Sequence, residues 1–315
     1  MRTATRRGVL AGAAALAVAP AALAAKLPIA PLEASRDGVT LSTRDLGPRF
    51  LDFYRAAQGA SPDARFAIWQ DRYGFAATPP TPQGDAMARK LLDEAWPRYA
   101  AALPVIEAGA AAMRPAPLDV AVRIAELLQA PRPLKVGVIA YVGAFETNAF
   151  TNSTPDGPVV AVPIEMTPEV RSLILPHEMT HAMHILVGHL SSGYERSLAR
   201  VVFEEGLAMR TTQRLVPGRP DYAYVGEQDW FAKGLARRTA IARAIAPLSD
   251  RKDGETLFKF TMGKGPNGLE REAYIAGWLV VGRMLEKGAT LPELARIPEA
   301  EMPARVGAAL KEIVG

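Results

Sequence analysis

His177-Glu178-Met179-Thr180-His181 is the stretch on which the reading of this 315-residue chain turns. On an α-helix, residues four apart stand on one face, so the imidazoles of His177 and His181 can reach a single metal ion. Glu178 lies three residues before His181 and points near the same side. From there it can take a proton from a metal-bound water without ligating the metal itself. The pentad therefore asks for a helix to carry it, a third protein ligand, and a group to steady negative charge during reaction.

The helix is signalled directly upstream, where Thr167-Pro168-Glu169 combines a capping residue, a proline for the first turn and an acid at the positive helix end. Before it, residues 134–142 and 159–164 are rich in Val and Ile, with the turn Thr154-Pro155-Asp156-Gly157 between them. This predicts a hairpin or small sheet. After the pentad, helical spacing dominates residues 197–214, 228–246, 269–287 and 299–313. The N-terminal part also reads as helical. Ser61-Pro62-Asp63 caps a helix that Gly74 can end, and residues 118–128 are amphipathic. Residues 85–113 have helical spacing but carry Pro97 and Pro104, which predicts a kink or break. Ala130-Pro131-Arg132-Pro133 is a clear interruption. The expectation is a mainly helical α+β protein, with an N-terminal helical region at 25–133 and a second domain at 134–315 holding a small sheet ahead of the pentad helix.

The third ligand is constrained by composition. The chain has no cysteine and only four histidines, all between His177 and His189. A metzincin extension is excluded, because its glycine position is His184 and its last histidine position is Val187. His184 lies seven residues after His177 and could approach a metal or pack along the helix. His189 follows Gly188 at the expected helix end. A carboxylate on a second helix is the better candidate, and Phe203-Glu204-Glu205-Gly206-Leu207-Ala208 offers two. The 24 residues from His181 to Glu205 leave room for a turn at Ser191-Ser192-Gly193 and an antiparallel return.

Glu-Gly-Leu-Ala after an H-E-x-x-H helix resembles the gluzincin metallopeptidases. The resemblance implies a zincin-like domain with one zinc per chain, held by His177, His181 and Glu205, with Glu178 as general base. Glu204, rotated by about 100° on the helix, then points away from the metal. One departure stands out. Some gluzincins place an Asp four residues after the ligand Glu to hold a zinc histidine, and here that position is Met209. Asp221, Asp229 and Glu195 are the alternatives. With no histidine after His189, a tyrosine is the remaining choice for steadying an oxyanion: Tyr222, Tyr224 or Tyr274. Residues 270–281, with Tyr274-Ile275-Ala276-Gly277, resemble the Tyr-x-x-Gly helix of a zinc-protease family known only as a domain of unknown function, which selects Tyr274. The spacing of Tyr274, Trp278 and Val281 is also that of a packing stripe. Asn148-Ala149-Phe150, 29 residues before the pentad, resembles the edge strand of thermolysin-type enzymes, implying substrate-backbone contacts by Asn148 and Ala149. Together these resemblances run from about residue 134 to the C-terminus.

The formal charge of +4 falls to +1 once the three arginines of residues 1–24 are set aside, so nothing global points to nucleic acid or anionic membrane. Arg6-Arg7-Gly8-Val9-Leu10, the uncharged run to Ala25 and Ala22-Leu23-Ala24 resemble a twin-arginine export signal at 1–24. The expectation is a periplasmic or secreted protein, off the membrane after cleavage, that hydrolyses a peptide or protein substrate. Two other readings are kept: a binding or assembly protein on the same scaffold without catalysis, and a zinc hydrolase of non-peptide amides or esters.

Overall fold

The computed structural model describes residues 29–78, 81–192 and 196–315, so the expected signal at 1–24 and the candidate Glu195 lie outside the described residues. The chain is α+β and mainly helical, with one five-stranded mixed sheet among the described residues. It packs as two compact units. One comprises Arg132–Leu175 and the described residues up to Val122; the other comprises Arg123–Pro131 and Pro176–Gly315.

The sheet unit begins with a hairpin, β1 (Leu32–Arg36) and β2 (Val39–Asp45). The expectation of a helical region at 25–133 did not include this hairpin. The turn residues Asp37 and Gly38 both have positive φ, 49° and 72°. That is the backbone a two-residue hairpin needs and Asp-Gly supplies. Val39 and Leu41 alternate inward behind it and are buried. Four helices follow: α1 (Gly47–Ala56), α2 (Pro62–Arg72), α3 (Pro82–Ala108) and α4 (Pro117–Leu127). Ser61 caps α2 through its hydroxyl, which accepts from the Ala64 amide at 3.4 Å. Despite Pro97 and Pro104, α3 runs unbroken over 27 residues. Its inward residues Leu92, Ala95, Tyr99 and Ile106 are buried, and that packing outweighs the lost helix bonds. The sheet is completed by β3 (Leu134–Tyr141), β4 (Phe150–Thr154) and β5 (Gly157–Pro163), in the order β1-β2-β3-β5-β4. β3 runs parallel to both β2 and β5. β4 and β5 pair antiparallel across the expected Thr154–Gly157 turn, which leaves β4 at the edge.

Helix α5 (Pro168–Val187) carries the pentad, and the boundary between the units falls within it, at Leu175–Pro176. The second unit is helical: α6 (Leu198–Leu215), α7 (Tyr222–Val225), α8 (Gln228–Ala236), α9 (Arg238–Ile245), α10 (Gly254–Thr261), α11 (Glu272–Glu286), α12 (Leu291–Leu294) and α13 (Met302–Val314). The expected helix at 228–246 is two, divided at Arg237. Helices α6 and α11 pack along each other, and α13 packs on both. No helix among the described residues is long and apolar enough to cross a membrane.

Candidate metal centre

The pentad turn of α5 is buried on nearly every side. Met179, Ala182 and Met183 are fully inaccessible, and His177 and Glu178 are each only 4% exposed. Thr180, also buried, donates its hydroxyl proton to the Pro176 carbonyl at 2.7 Å, which satisfies it within its own helix. Two imidazoles and a carboxylate held in such surroundings need partners, because burial without them is costly.

Glu205 supplies one. It sits on α6, whose first turn is capped by Ser197, the hydroxyl accepting from the Arg200 amide at 3.1 Å. Its carboxylate reaches back to both imidazoles: Oε2 lies 3.2 Å from His177 Nε2, and Oε1 lies 3.8 Å from His181 Nε2. The two Nε2 atoms are 3.1 Å apart. One ligand atom from each residue falls within 4.8 Å of the others. A tetrahedral zinc with ligands about 2.0–2.1 Å away would hold its donors about 3.3 Å from one another. The two closest spacings, 3.1 and 3.2 Å, lie near that value, while one donor atom from each residue spans up to 4.8 Å; the donor set, two imidazoles and a carboxylate, is one zinc takes. Glu205 Oε2 is buried and lacks a hydrogen-bond partner despite its closeness to His177, as a coordinating oxygen would be.

The approach of Tyr274 to this cluster depends on two glycines. A Cβ on Gly206 would lie 2.2 Å from the Gly277 carbonyl oxygen, and one on Gly277 would lie 2.4 Å from the Val202 carbonyl oxygen. Helices α6 and α11 therefore touch backbone to backbone at this point. Glu205 immediately precedes one glycine and Tyr274 stands three residues before the other, so the close crossing brings their side chains together. The Tyr274 hydroxyl is hydrogen-bonded to the Glu205 carboxylate and feels the charge of Glu178.

Glu204 points elsewhere. Arg200 Nε donates to its Oε1 at 2.7 Å, and Arg196 lies 3.3 Å from its Oε2. Arg200 is itself 2% exposed. It also donates to the Ser191 hydroxyl and carbonyl, and pairs with Glu299 at 2.7 Å. This buried network was not anticipated from sequence, although Arg200 and Glu204 stand at the i, i+4 spacing of a helical ion pair. It neutralises Glu204 and fastens the start of α6 to the segment after α5.

The remaining candidates divide. His184 is buried against Phe203 with a ring separation of 5.8 Å, and His189 is exposed beyond the end of α5. Tyr224 is spent on structure, donating to the Val216 carbonyl at 2.6 Å and accepting from the Arg219 amide at 3.1 Å. Asp221 accepts from Gln213 at 3.0 Å, and Asp229 lies in the first turn of α8. In the sheet unit, Asn148 and Ala149 lead into the edge strand β4. The Asn148 main-chain carbonyl accepts from the Tyr141 hydroxyl, its side-chain Nδ2 donates to the Ala77 carbonyl at 3.4 Å, and its Oδ1 is buried without a partner. Ala149 is buried, with its N–H on the Thr147 carbonyl at 3.2 Å.

Burial dominates the electrostatics. It drives the pKa of His181 down to about 4. His177 is also desolvated, but the adjoining Glu205 carboxylate outweighs this and raises its pKa. Burial would push Glu205 up, yet the two imidazoles hold it below the usual carboxylate range. Burial, reinforced by the Glu205 charge, raises Tyr274 well above an ordinary phenol. For Glu204 the two arginines overcome burial and bring the pKa to about 2. The cluster thus offers a neutral imidazole and an ionised carboxylate as ligands, and a phenol that keeps its proton. No family model, curated protein or solved structure matches this chain.

Proposed function

We propose that the chain is a zinc-dependent metallohydrolase of gluzincin type, most specifically a peptidase, with one zinc held by His177, His181 and Glu205. The observation that carries this reading is the convergence of those three side chains from two helices within 4.8 Å, next to a buried Glu178 that belongs to the same helical turn. His177, His181 and Glu205 would hold the zinc, which when bound would supply Lewis-acid polarisation of a carbonyl and a water of lowered pKa. Glu178 takes the proton of the attacking water and passes it to the leaving amine. Tyr274, whose proton is retained by burial, donates a hydrogen bond to the oxygen on which charge develops. Arg200 neutralises Glu204, which leaves Glu205 as the carboxylate of α6 that serves as a ligand. Taken by itself, the sheet unit has an edge strand, β4, headed by Asn148 and Ala149, of the kind that can pair with an extended polypeptide. The reading includes export through residues 1–24 to the periplasm or the medium, and no role for nucleic acid.

Metal analysis and a peptide-library digest of wild type, Glu178→Gln and Glu205→Gln test the assignment. Wild type should hold about one zinc per chain. Glu178→Gln should keep the zinc and lose at least about 10²-fold in turnover. Glu205→Gln should lose activity together with zinc affinity, on the order of 100-fold or more. Equal loss of zinc in both variants, or wild-type cleavage by Glu178→Gln, would overturn the roles and favour a binding protein on the same scaffold.

A further inference from the structure

A second cluster of unusual chemistry lies in the helical unit, separate from the metal ligands. A cavity of about 530 Å³ is lined by Arg210, Gln213 and Arg214 of α6, with Leu127, Leu285 and Leu291 among its apolar walls. That volume is in the range that takes small organic molecules. Arg210 is the notable group. Its guanidinium stacks on the Trp278 ring, with Cζ 3.4 Å from the ring centroid. Nε and Nη2 donate to the Trp278 carbonyl at 3.3 and 3.1 Å, and Nη1 donates to Gln213 Oε1 at 3.0 Å.

All of these partners are neutral. Two carboxylates act on Arg210 without a direct hydrogen bond to it: Asp221, which accepts from Gln213 at 3.0 Å, and Glu286, which pairs with Arg283 at 3.5 Å. A guanidinium carries five N–H groups, so the three bonds leave one N–H on each terminal nitrogen. Such a pair is what an oxyanion uses when it binds end-on. Desolvation lowers the Arg210 pKa to about 10, and the charges of Asp221 and Glu286 offset only part of that cost. Arg214, one turn further along α6, adds an exposed second cation to the same cavity.

We infer that this cavity is a binding site for a small amphiphilic carboxylate, its head group on Arg210 and Arg214 and its apolar body against Leu127, Leu285 and Leu291. The walls decide between anions. A free inorganic anion would leave the half-exposed Leu127 and Leu285 uncovered, whereas a carboxylate with an alkyl or aryl body covers them and answers the half-buried Arg210 charge together. This site is independent of the metal chemistry proposed above and stands or falls without it.

Isothermal titration calorimetry of the full chain with sodium octanoate, 1-octanol and sodium acetate tests the inference. Octanoate should bind saturably, with acetate and octanol each at least about tenfold weaker, because each offers only half of the recognition. Arg210→Gln should weaken octanoate at least about tenfold. Should that variant fail to fold, Arg214→Gln and Leu285→Glu serve instead, the first weakening octanoate and the second abolishing it by placing a like charge on the wall. The inference is overturned if wild type gives no saturable heat with octanoate at millimolar concentration, or if octanoate binds Arg214→Gln and Leu285→Glu as it binds wild type.

Discussion

The crossing of α6 and α11 and the loop between β3 and β4 both lead up to candidate functional residues, and they are built in opposite ways. At the crossing, Gly206 and Gly277 remove side chains so that two helix backbones touch, and position is set by what is missing. In the loop, a buried carboxylate does the holding. Glu165 accepts from the Gly143 amide at 3.1 Å and the Phe145 amide at 3.3 Å, while Glu146 accepts from the Ala144 amide at 2.7 Å. Phe145 and Thr147 take positive φ, 64° and 58°, just before Asn148. A crossing made by glycines is insensitive to pH and intolerant of volume. A loop held by a carboxylate tolerates volume better and answers to protons.

The contrast can be broken most severely at the crossing. Gly277→Val should destabilise the helical unit by about 3 kcal/mol or more, since its Cβ would meet backbone atoms that cannot yield as a side chain would. Zinc binding should be lost with it, because Glu205 and the imidazoles come from elements whose spacing would change. Chemical denaturation with parallel metal analysis checks this. Wild-type stability in the variant would mean the helices do not touch as described.

The loop answers to pH. Burial pushes the Glu165 pKa up to about 7, against an ordinary value of 4.5. The folded chain therefore binds this proton more tightly than the unfolded chain. The stabilisation is complete below about pH 4.5 and is lost as pH rises through 7. Between pH 5 and 8 wild type should lose on the order of 2 kcal/mol relative to Glu165→Gln, which has no proton to release. Thermal melts of both proteins across that range measure the difference. Parallel curves would show that Glu165 is ionised throughout.

The smallest effect is expected at the first hairpin. Gly38 has φ of 72°, and a Cβ there would also lie 3.1 Å from Arg132 Cδ. Gly38→Ala should cost about 1 kcal/mol, the usual penalty for forcing a side chain into the left-handed region. A denaturation midpoint indistinguishable from wild type would contradict the turn.

The pentad helix, the β-rich runs around Thr154–Gly157, the Ser61 cap and the mainly helical remainder were legible because each depends on local spacing or on a capping residue. The β1-β2 hairpin is equally local, since Asp37-Gly38 sits between alternating residues, although the sequence expectation for 25–133 named only helices. The unbroken α3 could not be read from its two prolines. Their cost is local, and what offsets it is burial of Leu92, Tyr99 and Ile106 against other parts of the fold.

For the candidate site the division is similar. His177, Glu178 and His181 are a one-turn pattern that a sequence states outright, because four residues along a helix is a fixed distance. That β2 and β5 flank β3, that β4 ends up at the edge, and that the Asn148 carbonyl is taken by Tyr141 were decided only by tertiary structure. The division of labour between Glu204 and Glu205 was implied by the Glu-Gly-Leu-Ala resemblance, but its partners came only with the tertiary structure. Adjacent in sequence and identical in chemistry, they differ because α6 turns one toward Arg200 and the other toward two imidazoles. Which side of a helix meets which neighbour is set by how close the helices can come, and in this chain that distance is settled where Gly206 lies against Gly277.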